Sequence, residues 1–321
     1  MTPKAAAAPP RSGLEAALRA GRFAVTAEMQ PVNGADPDQV RRLASGLKGR
    51  VDAANCTDNA AARPHISPLA AGRFVAEAGV EPVVQLTCRD RNRLGLQADL
   101  LGASALGARN VLLLTGDDVS SGDHPEAKPI FDLDSLHLLR IARILRDRGT
   151  YLSGRALSSR PDYFVGAVEN PFAPPHDFRP VRLSKKVEAG AEFIQTQICF
   201  NLPRLREFMA RVGDLGLLER VSILVSVYVA RSTRALRFLR DVVPGIDVPD
   251  KVMQRLAGAA PGEQAKEGFR LALETVAALR ETPGVSGVHL ISINGQEAIL
   301  RLIEEAGLRK ESADFGAEGA G

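Results

Sequence analysis

Eight short apolar runs alternate with helix-forming segments along the chain, and this alternation constrains the fold more than any other feature. The runs begin near residues 23, 51, 83, 111, 163, 192, 221 and 287. Most of the spacings are about 30 residues, which is the length of one strand–helix–strand unit. Strands of a parallel sheet are buried on both faces, so they read as continuous apolar runs. The pattern therefore predicts an α/β protein with a parallel sheet.

The stretch 81–118 shows this unit most clearly. Two mostly apolar runs, 83–86 and 111–114, flank a segment whose apolar residues have helical spacing: Leu94, Ala98, Leu101 and Ala105. Gly107 follows at the point where a left-handed helix end is expected. The stretch predicts a strand, a helix and a second strand.

A count of eight strands favours a single (β/α)8 TIM barrel over residues 12–308, with an extra N-terminal helix and extra helices after strand 7. The alternative is a doubly wound open sheet. That fold is expected to carry a glycine-rich dinucleotide turn, and neither G-x-G-x-x-G nor G-x-x-x-x-G-K-[ST] occurs. Residues 1–11, rich in Ala and Pro, are predicted to form a disordered N-terminal tail, and residues 309–321 a C-terminal tail.

Composition excludes several classes of partner. The chain has 41 Lys and Arg against 38 Asp and Glu, a net charge of +3 with no concentrated basic run, so nucleic acid is not expected. No apolar run approaches the roughly 18 residues of a membrane span, and residues 1–11 lack the apolar centre of a secretory signal. We therefore expect a cytoplasmic protein that does not bind membranes. A homo-oligomer is compatible with the sequence.

Neither the three cysteines nor the five histidines have the spacing of metal ligands, so no metal site is predicted. Cys88 follows the third predicted strand, but nothing in the sequence supplies a base beside it, so a role as nucleophile has little support. Its other interpretation is a small buried side chain.

Polar residues follow most of the predicted strands. The carboxyl ends of parallel strands in a barrel share one rim, so these residues are expected to converge there. They are Glu28, Asn55, Asp58, Gln85, Asp117, Glu169 and Gln197.

Three of these residues suggest chemistry. Partial desolvation at a strand end can raise the pKa of Glu28 enough to make it a proton donor, although a solvated or ion-paired glutamate is the alternative. Asp117 follows Gly116, which permits close approach of the backbone to a flat ligand, although turn chemistry also explains both. Gln197 can bind an amide-like ring edge or satisfy local backbone. Lys186 could meet a phosphate, although solvated lysines are more common.

A series of motifs occurs in a fixed order: AE with Pro31, TDN at 57–59, QLTCRDRNR at 85–93, LTGD at 114–117, GDHP at 122–125 with FDLDS at 131–135, and KVEAGA at 186–191 leading to QTQ at 195–197. Together, over residues of about 22 to 308, these motifs resemble the methylenetetrahydrofolate reductase family.

The resemblance implies a (β/α)8 barrel that binds a flavin, FAD in preference to FMN. It implies interconversion of 5,10-methylenetetrahydrofolate and 5-methyltetrahydrofolate, in either direction, with NAD(P)H or a partner electron-transfer protein as donor. By their positions in the motifs, Glu28 is expected to be the catalytic acid, Asp117 a catalytic aspartate at the flavin and folate, and Gln197 a substrate-binding glutamine. Expected flavin contacts are Asn55, Gln85, Thr115, Gly116, Asp117, Phe131, Asp132, Val168 and Lys186.

The chain departs from the family pattern at three ligand positions. Gln85 stands where the family has a flavin-contacting histidine, Val168 where it has a tyrosine, and Gly295 where it has an arginine that meets folate. Two other functions share the same acidic and amide rim: a flavin-free, pterin-binding methyltransferase barrel, and a flavin-binding subunit that needs a partner electron donor.

Overall fold

Eight parallel strands close into a barrel in chain order, with β1 bonded to both β2 and β8. The computed structural model describes residues 8–260, 262–292 and 295–308. The strands are β1 (Ala24–Glu28), β2 (Ala53–Cys56), β3 (Pro82–Thr87), β4 (Asn110–Leu114), β5 (Phe164–Glu169), β6 (Phe193–Ile198), β7 (Ser222–Tyr228) and β8 (Val285–Ile291). The predicted barrel is confirmed, and each strand starts within two residues of its predicted position.

Helices connect the strands and form the outer layer. They are α1 (Gly13–Arg19), α2 (Pro37–Ser45), α3 (Pro68–Glu77), α4 (Arg93–Ala105), α5 (Ser135–Arg143), α6 (Arg179–Ala189), α7 (Leu202–Asp214), α8 (Thr233–Val242), α9 (Asp250–Gly258), α10 (Gln264–Arg280) and α11 (Glu297–Glu305). The extra N-terminal helix is α1, and the extra segment after strand 7 contains α8, α9 and α10, so both predictions are confirmed. In the described ranges, no helix combines the length and apolarity that a membrane span requires.

Local sequence signals set the ends of these helices. The Asp36 carboxylate accepts the Asp38 N–H at 2.9 Å and Pro37 occupies the first turn of α2. Asn92 caps α4 by accepting the N–H groups of Leu94 and Gly95. Gly107, with φ +90°, ends the same helix in the left-handed region that glycine adopts without strain.

The amino end of the barrel bore is filled by an apolar layer. The rings of Phe164 and Phe193 stack with their centroids 5.0 Å apart. A Cβ atom at Gly166 would lie 2.2 Å from the Phe193 ring, so only glycine leaves room for that ring. Leu14 and Leu18 of α1 join this layer, so that α1 covers the amino end of the barrel.

The described chain begins before the predicted start of the barrel at residue 12. Arg11, which the sequence placed in the disordered tail, donates through its main-chain N–H to Glu15 at 2.7 Å and through its guanidinium at 2.9 Å. Arg11 is thus bonded to the first turn of α1, and the disordered tail over residues 1–11 stays a prediction. The predicted C-terminal tail, residues 309–321, lies outside the described residues.

Candidate active site

Glu28 lies at the carboxyl end of β1 and faces the inside of the barrel. Side chains alternate along a strand, and Ala24 belongs to the inner apolar layer, so Thr26 and Glu28 also point inward. The Glu28 side chain is 29% exposed, and its Oε2 lies 3.8 Å from Nε2 of His289 on β8. Glu28 is thus an accessible acid at the barrel mouth with a buried imidazole beside it.

A buried polar layer lies beneath Glu28. Its four residues, each at most 3% exposed, come from four strands: Thr26, Asn55, Gln195 and His289. Thr26 Oγ1 lies 3.0 Å from His289 Nδ1 and accepts a hydrogen bond from Gln195 Nε2 at 3.3 Å. Asn55 Nδ2 donates to Gln195 Oε1 at 2.7 Å, and Gln195 Nε2 donates to Asn55 Oδ1 at 3.2 Å.

Sequence reasoning missed three members of this layer, Thr26, Gln195 and His289. The signal was available for Thr26 and Gln195, because they lie two positions before Glu28 and Gln197, which were expected at the rim. No residue of the eighth strand was expected there, so nothing pointed to His289. Asn55 was predicted to contact the cofactor. Its side chain is fully buried and bonded to Gln195, so a cofactor contact would require that pair to open, and the role stays a prediction.

Two amides lie near the carboxyl ends of their strands, above this layer. Gln85 on β3 points inward, is 9% exposed, and its side chain has no hydrogen-bond partner among the described residues. Gln197 on β6 accepts the Ile198 N–H at 2.9 Å through Oε1, which leaves its NH2 group available for a ligand. Both amides can therefore form hydrogen bonds with a polar ligand.

Asp117 follows β4 and is held by the neighbouring loop. Its Oδ2 accepts the Ala61 N–H at 3.1 Å, and the residue is exposed. Gly116 has φ +103°, and a Cβ atom there would lie 2.9 Å from Cβ of Arg89. Glycine therefore brings the 115–117 backbone directly onto the rim.

Buried Arg89 supports this turn from below. It pairs with Asp90 at 2.7 Å and donates to the carbonyl of Asn59 at 3.1 Å. The hydrogen bond to Asp90 raises the pKa of Arg89. The arginine therefore ties the loop after β2 to the loops after β3 and β4.

A cavity of about 430 Å³ opens beside this turn. Its walls are formed by Thr115, Phe131, Asp132, Leu133, Asp134 and His137. Asp132 accepts three hydrogen bonds from Arg93, at 2.9, 2.8 and 2.7 Å, and these bonds lower the pKa of Asp132 to about 2. Asp134 lies 2.8 Å from His137. Both acidic groups on the wall therefore already have local hydrogen-bond partners.

Lys186 and Val168 lie at the end of β5. The Lys186 ammonium donates to the Val168 carbonyl and pairs with Glu169 Oε2 at 2.8 Å, and Lys186 is 3% exposed. Burial lowers the pKa of Lys186, and the Glu169 charge opposes that effect. A phosphate contact by Lys186 would require this pair to open, and it stays a prediction, as does a flavin contact by Val168.

The expected convergence of seven polar residues is correct only in part. Glu28, Asn55 and Gln85 face inward, and Gln197 lies at the carboxyl end of β6, within a register shift between Gln195 and Ile198. Glu169 lies on the outer face of β5, so its predicted place in the mouth is wrong. The Asp58 carboxylate is buried and already occupied, because it accepts the N–H and hydroxyl of Thr87 at the end of β3 and pairs with Arg91.

All three cysteines are buried, and their thiols are protonated near neutral pH. Burial raises the pKa of Cys56, Cys88 and Cys199 to about 12 in each case. Cys88 therefore lacks the thiolate that nucleophilic chemistry needs. In the part of the chain that the structure describes, no group of three or more His, Cys, Asp or Glu side chains is placed to hold a metal ion.

The fold and the site define a class: a parallel (β/α)8 barrel whose carboxyl mouth holds one acid, two amides and a glycine turn beside a cavity. The family model for methylenetetrahydrofolate reductase matches residues 13–307. The chain therefore belongs to the methylenetetrahydrofolate reductase family.

Known proteins with similar sequences carry the same family name. Methylenetetrahydrofolate reductase 2 of Schizosaccharomyces pombe is 26% identical over 241 residues, covering 70% of this chain and 35% of the yeast protein. The probable methylenetetrahydrofolate reductase (NADPH) of Caenorhabditis elegans is 23% identical over 239 residues, covering 74% of this chain and 34% of the relative. This chain thus spans about a third of the length of these relatives.

Two solved structures share the fold. A protein from Clostridium thermocellum that binds two copies of 5-methyl-5,6,7,8-tetrahydrofolic acid has a TM-score of 0.64 at 13% identity, covering 92% of this chain and all of that one. An EDTA monooxygenase from Chelativorans has a TM-score of 0.52 at 9% identity, covering 89% and 92%. At these identities, the likeness establishes the architecture alone.

Proposed function

We propose that this protein interconverts 5,10-methylenetetrahydrofolate and 5-methyltetrahydrofolate with a bound flavin. The observation that carries the proposal is Glu28, a partly exposed acid at the mouth of a barrel of this family, with the imidazole of His289 3.8 Å away. Gln197 lies at the carboxyl end of β6, on the same rim. The family as a whole uses a flavin, and the same dependence is proposed for this chain.

Glu28 is the proposed acid for opening the methylene bridge. The N10 amine leaves poorly unless it is protonated, so a carboxylic acid at the mouth supplies what the C–N cleavage requires. In the oxidative direction the Glu28 carboxylate removes that proton. His289 lies behind Glu28, where an N–H directed at Oε2 would stabilise the carboxylate that remains after proton transfer.

Three features fit a flavin at this mouth. Gly116 lets the 115–117 turn pack against Arg89 and Thr87 at the rim, the Gln85 amide offers both a donor and an acceptor to a heterocycle edge, and the adjacent cavity has room for the rest of the cofactor. The flavin, when bound, supplies hydride transfer to and from the folate carbon. Asp117, beside the same turn, would place a negative charge near the ring and disfavour its reduced anionic form.

FAD is proposed in preference to FMN. The cavity is lined by Phe131, whose side chain is 39% exposed and offers an apolar surface to a second aromatic group. Thr115 and Asp132 line the same cavity and could bind a hydroxyl-bearing chain. Release of the cofactor from denatured protein and chromatography against standards tests this choice, and FMN as the released species contradicts it.

The folate is proposed to lie across Gln197 and Glu28. The free NH2 of Gln197 can donate to a carbonyl or ring nitrogen of the pterin. Gly295 offers no side chain to the glutamate tail. The proposed electron donor is NAD(P)H or a partner electron-transfer protein, and the proposed location is the cytoplasm.

Anaerobic spectroscopy of the purified protein tests the function directly. We expect flavin absorption in the isolated protein and bleaching of that absorption on addition of 5-methyltetrahydrofolate, with 5,10-methylenetetrahydrofolate as product. A colourless protein that transfers the methyl group to an added acceptor would instead establish the flavin-free methyltransferase. Bleaching by folate without turnover by NADH or NADPH assigns the donor role to a partner protein.

A further inference from the structure

The polar layer under Glu28 is joined by an amide pair that crosses the bore of the barrel. Asn55 belongs to β2 and Gln195 to β6, which lie four strands apart in a closed barrel of eight and therefore on opposite walls. Their side chains exchange two hydrogen bonds, at 2.7 and 3.2 Å. Both side chains are at most 2% exposed, so water does not substitute for these bonds.

Because Gln195 is paired with Asn55, the second hydrogen on Gln195 Nε2 has one acceptor, Thr26. Gln195 Nε2 carries two hydrogens, of which one goes to Asn55 Oδ1 and the other to Thr26 Oγ1 at 3.3 Å. The Thr26 hydroxyl is therefore an acceptor toward Gln195. Its own hydrogen is directed away from the amide, toward His289 Nδ1 at 3.0 Å rather than the longer contact to the Val288 carbonyl at 3.4 Å.

The hydrogen bond from Thr26 decides which nitrogen of His289 carries the proton. A neutral imidazole has one N–H and one bare nitrogen, and Nδ1 must be the bare one if it accepts from Thr26. The proton is then on Nε2, which is the atom nearest to Glu28 Oε2. The order of donors runs from Asn55 and Gln195 through Thr26 to His289 and ends at the acid.

We propose that Asn55 and Gln195 are positioning residues that fix His289 as the Nε2–H tautomer, so that an N–H rather than a lone pair faces Glu28. The proposal rests on the proposed function only for its effect on catalysis, because the tautomer itself is a property of the barrel. With the opposite tautomer, the Nε2 lone pair would repel the Glu28 carboxylate that proton transfer generates.

Nitrogen NMR of ¹⁵N-histidine-labelled protein as isolated tests the tautomer. The His289 signals are identified by their loss in His289→Gln. We expect an Nε2-protonated neutral ring in the natural protein and in Thr26→Ser, and a mixture of both tautomers in Gln195→Leu and Thr26→Val. Gln97→Leu is the matched control, because Gln97 is also a buried amide, bonded to the Arg93 carbonyl and the Leu152 N–H away from the mouth, and its loss leaves the His289 signals unchanged.

Kinetics separate this proposal from the proposed function. We expect Gln195→Leu to lower kcat roughly 10- to 100-fold with little change in KM, the range seen when the hydrogen-bond partner that orients a metal-bound histidine is lost. An Nδ1-protonated or doubly protonated His289 in the natural protein overturns the proposal, as does a native tautomer in both Gln195→Leu and Thr26→Val. If the tautomer shifts as expected in a protein without folate turnover, the positioning role stands and the proposed reaction fails. If Gln195→Leu does not fold, comparison of Thr26→Ser with Thr26→Val still decides the test.

Discussion

Glu28 and Glu169 occupy equivalent places in the fold, at the last residue of β1 and of β5, yet their surroundings are opposite. Glu28 faces the bore, is 29% exposed and lies 3.8 Å from a histidine. Glu169 faces the helices, is 1% exposed, and pairs with Lys186 at 2.8 Å. One carboxylate is open to a ligand, and the other is sealed with its counter-ion.

The difference follows from which face of the strand each residue occupies. Inward residues at a strand end meet the mouth, where a ligand can replace water. Outward residues meet the helix layer, where an acid is tolerated only with a paired cation. A shift of one residue in register moves a side chain from the inner to the outer face of a strand. The same shift therefore decides whether an acid at a strand end of a barrel faces a ligand or pairs with a buried cation.

The largest expected effect is on turnover in Glu28→Gln. Loss of a general acid lowers rates by about 10²- to 10⁴-fold. We expect this loss in folate turnover, while flavin stays bound and can be reduced by a competent donor, because the donor reaction needs no proton at N10. Stopped-flow reduction and turnover assays measure both. The free energy of unfolding should change by less than about 0.5 kcal/mol, as for exposed positions, and near-natural folate rates would show that the acid is another residue.

The second largest effect is on stability in Glu169→Gln. Removal of one partner of a buried pair leaves the other charge uncompensated, which costs about 3 kcal/mol. Lys186 already has a lowered pKa, and loss of its proton limits the cost to the lower end of the range. Urea unfolding measures the difference. If Glu28→Gln destabilises the protein as much as Glu169→Gln, the two acids do not have the distinct roles that the comparison assigns.

A smaller effect is expected on the flavin potential in Asp117→Asn. Removal of a nearby negative charge favours the reduced flavin, and about 1 kcal/mol of charge interaction corresponds to a rise of roughly 20 mV for a two-electron couple. A redox titration measures the shift. Asp118→Asn is the matched control, since Asp118 directs its carboxylate to Ser120 instead of Ala61. Equal shifts in the two variants, or a lower potential in Asp117→Asn, contradict the placement of Asp117 beside the ring.

The smallest expected effect is on stability in Asp132→Asn, which removes the carboxylate that binds Arg93. The pKa of Asp132 is lowered from 3.8 to about 2 by its hydrogen bonds to Arg93. A carboxyl with a lowered folded pKa contributes its stabilisation fully above the unfolded value and loses it as pH falls through the folded value. The urea midpoints of natural protein and variant should therefore differ near neutral pH and approach each other between pH 4 and 2. A difference that persists at pH 2 would show that the contact does not depend on ionisation.

Much of the fold could be predicted from the sequence because its signals are local. The apolar runs gave the strands, and Asp36 and Gly107 gave helix ends, since a cap or a left-handed residue acts within one turn. The order of the eight units then required the barrel, because parallel strands of this spacing close most simply in sequence order.

The site was less predictable because it depends on register and on distant partners. Glu169 was expected in the mouth, and a one-residue difference places it outside. Gln195 and Asn55 meet across 140 positions of sequence, and no local pattern indicates such a pair. Lys186 likewise looked like a solvated or phosphate-binding lysine until α6 placed it against Glu169.

The stacked rings of Phe164 and Phe193 determine how a small molecule can reach and leave the barrel mouth. Together with α1, these rings close the amino end of the barrel. Glu28 is therefore reached only from the carboxyl end. A small molecule that has reacted there must leave by the opening through which it entered. If two reactants contact the same face of the proposed flavin ring at this opening, they bind there one after the other.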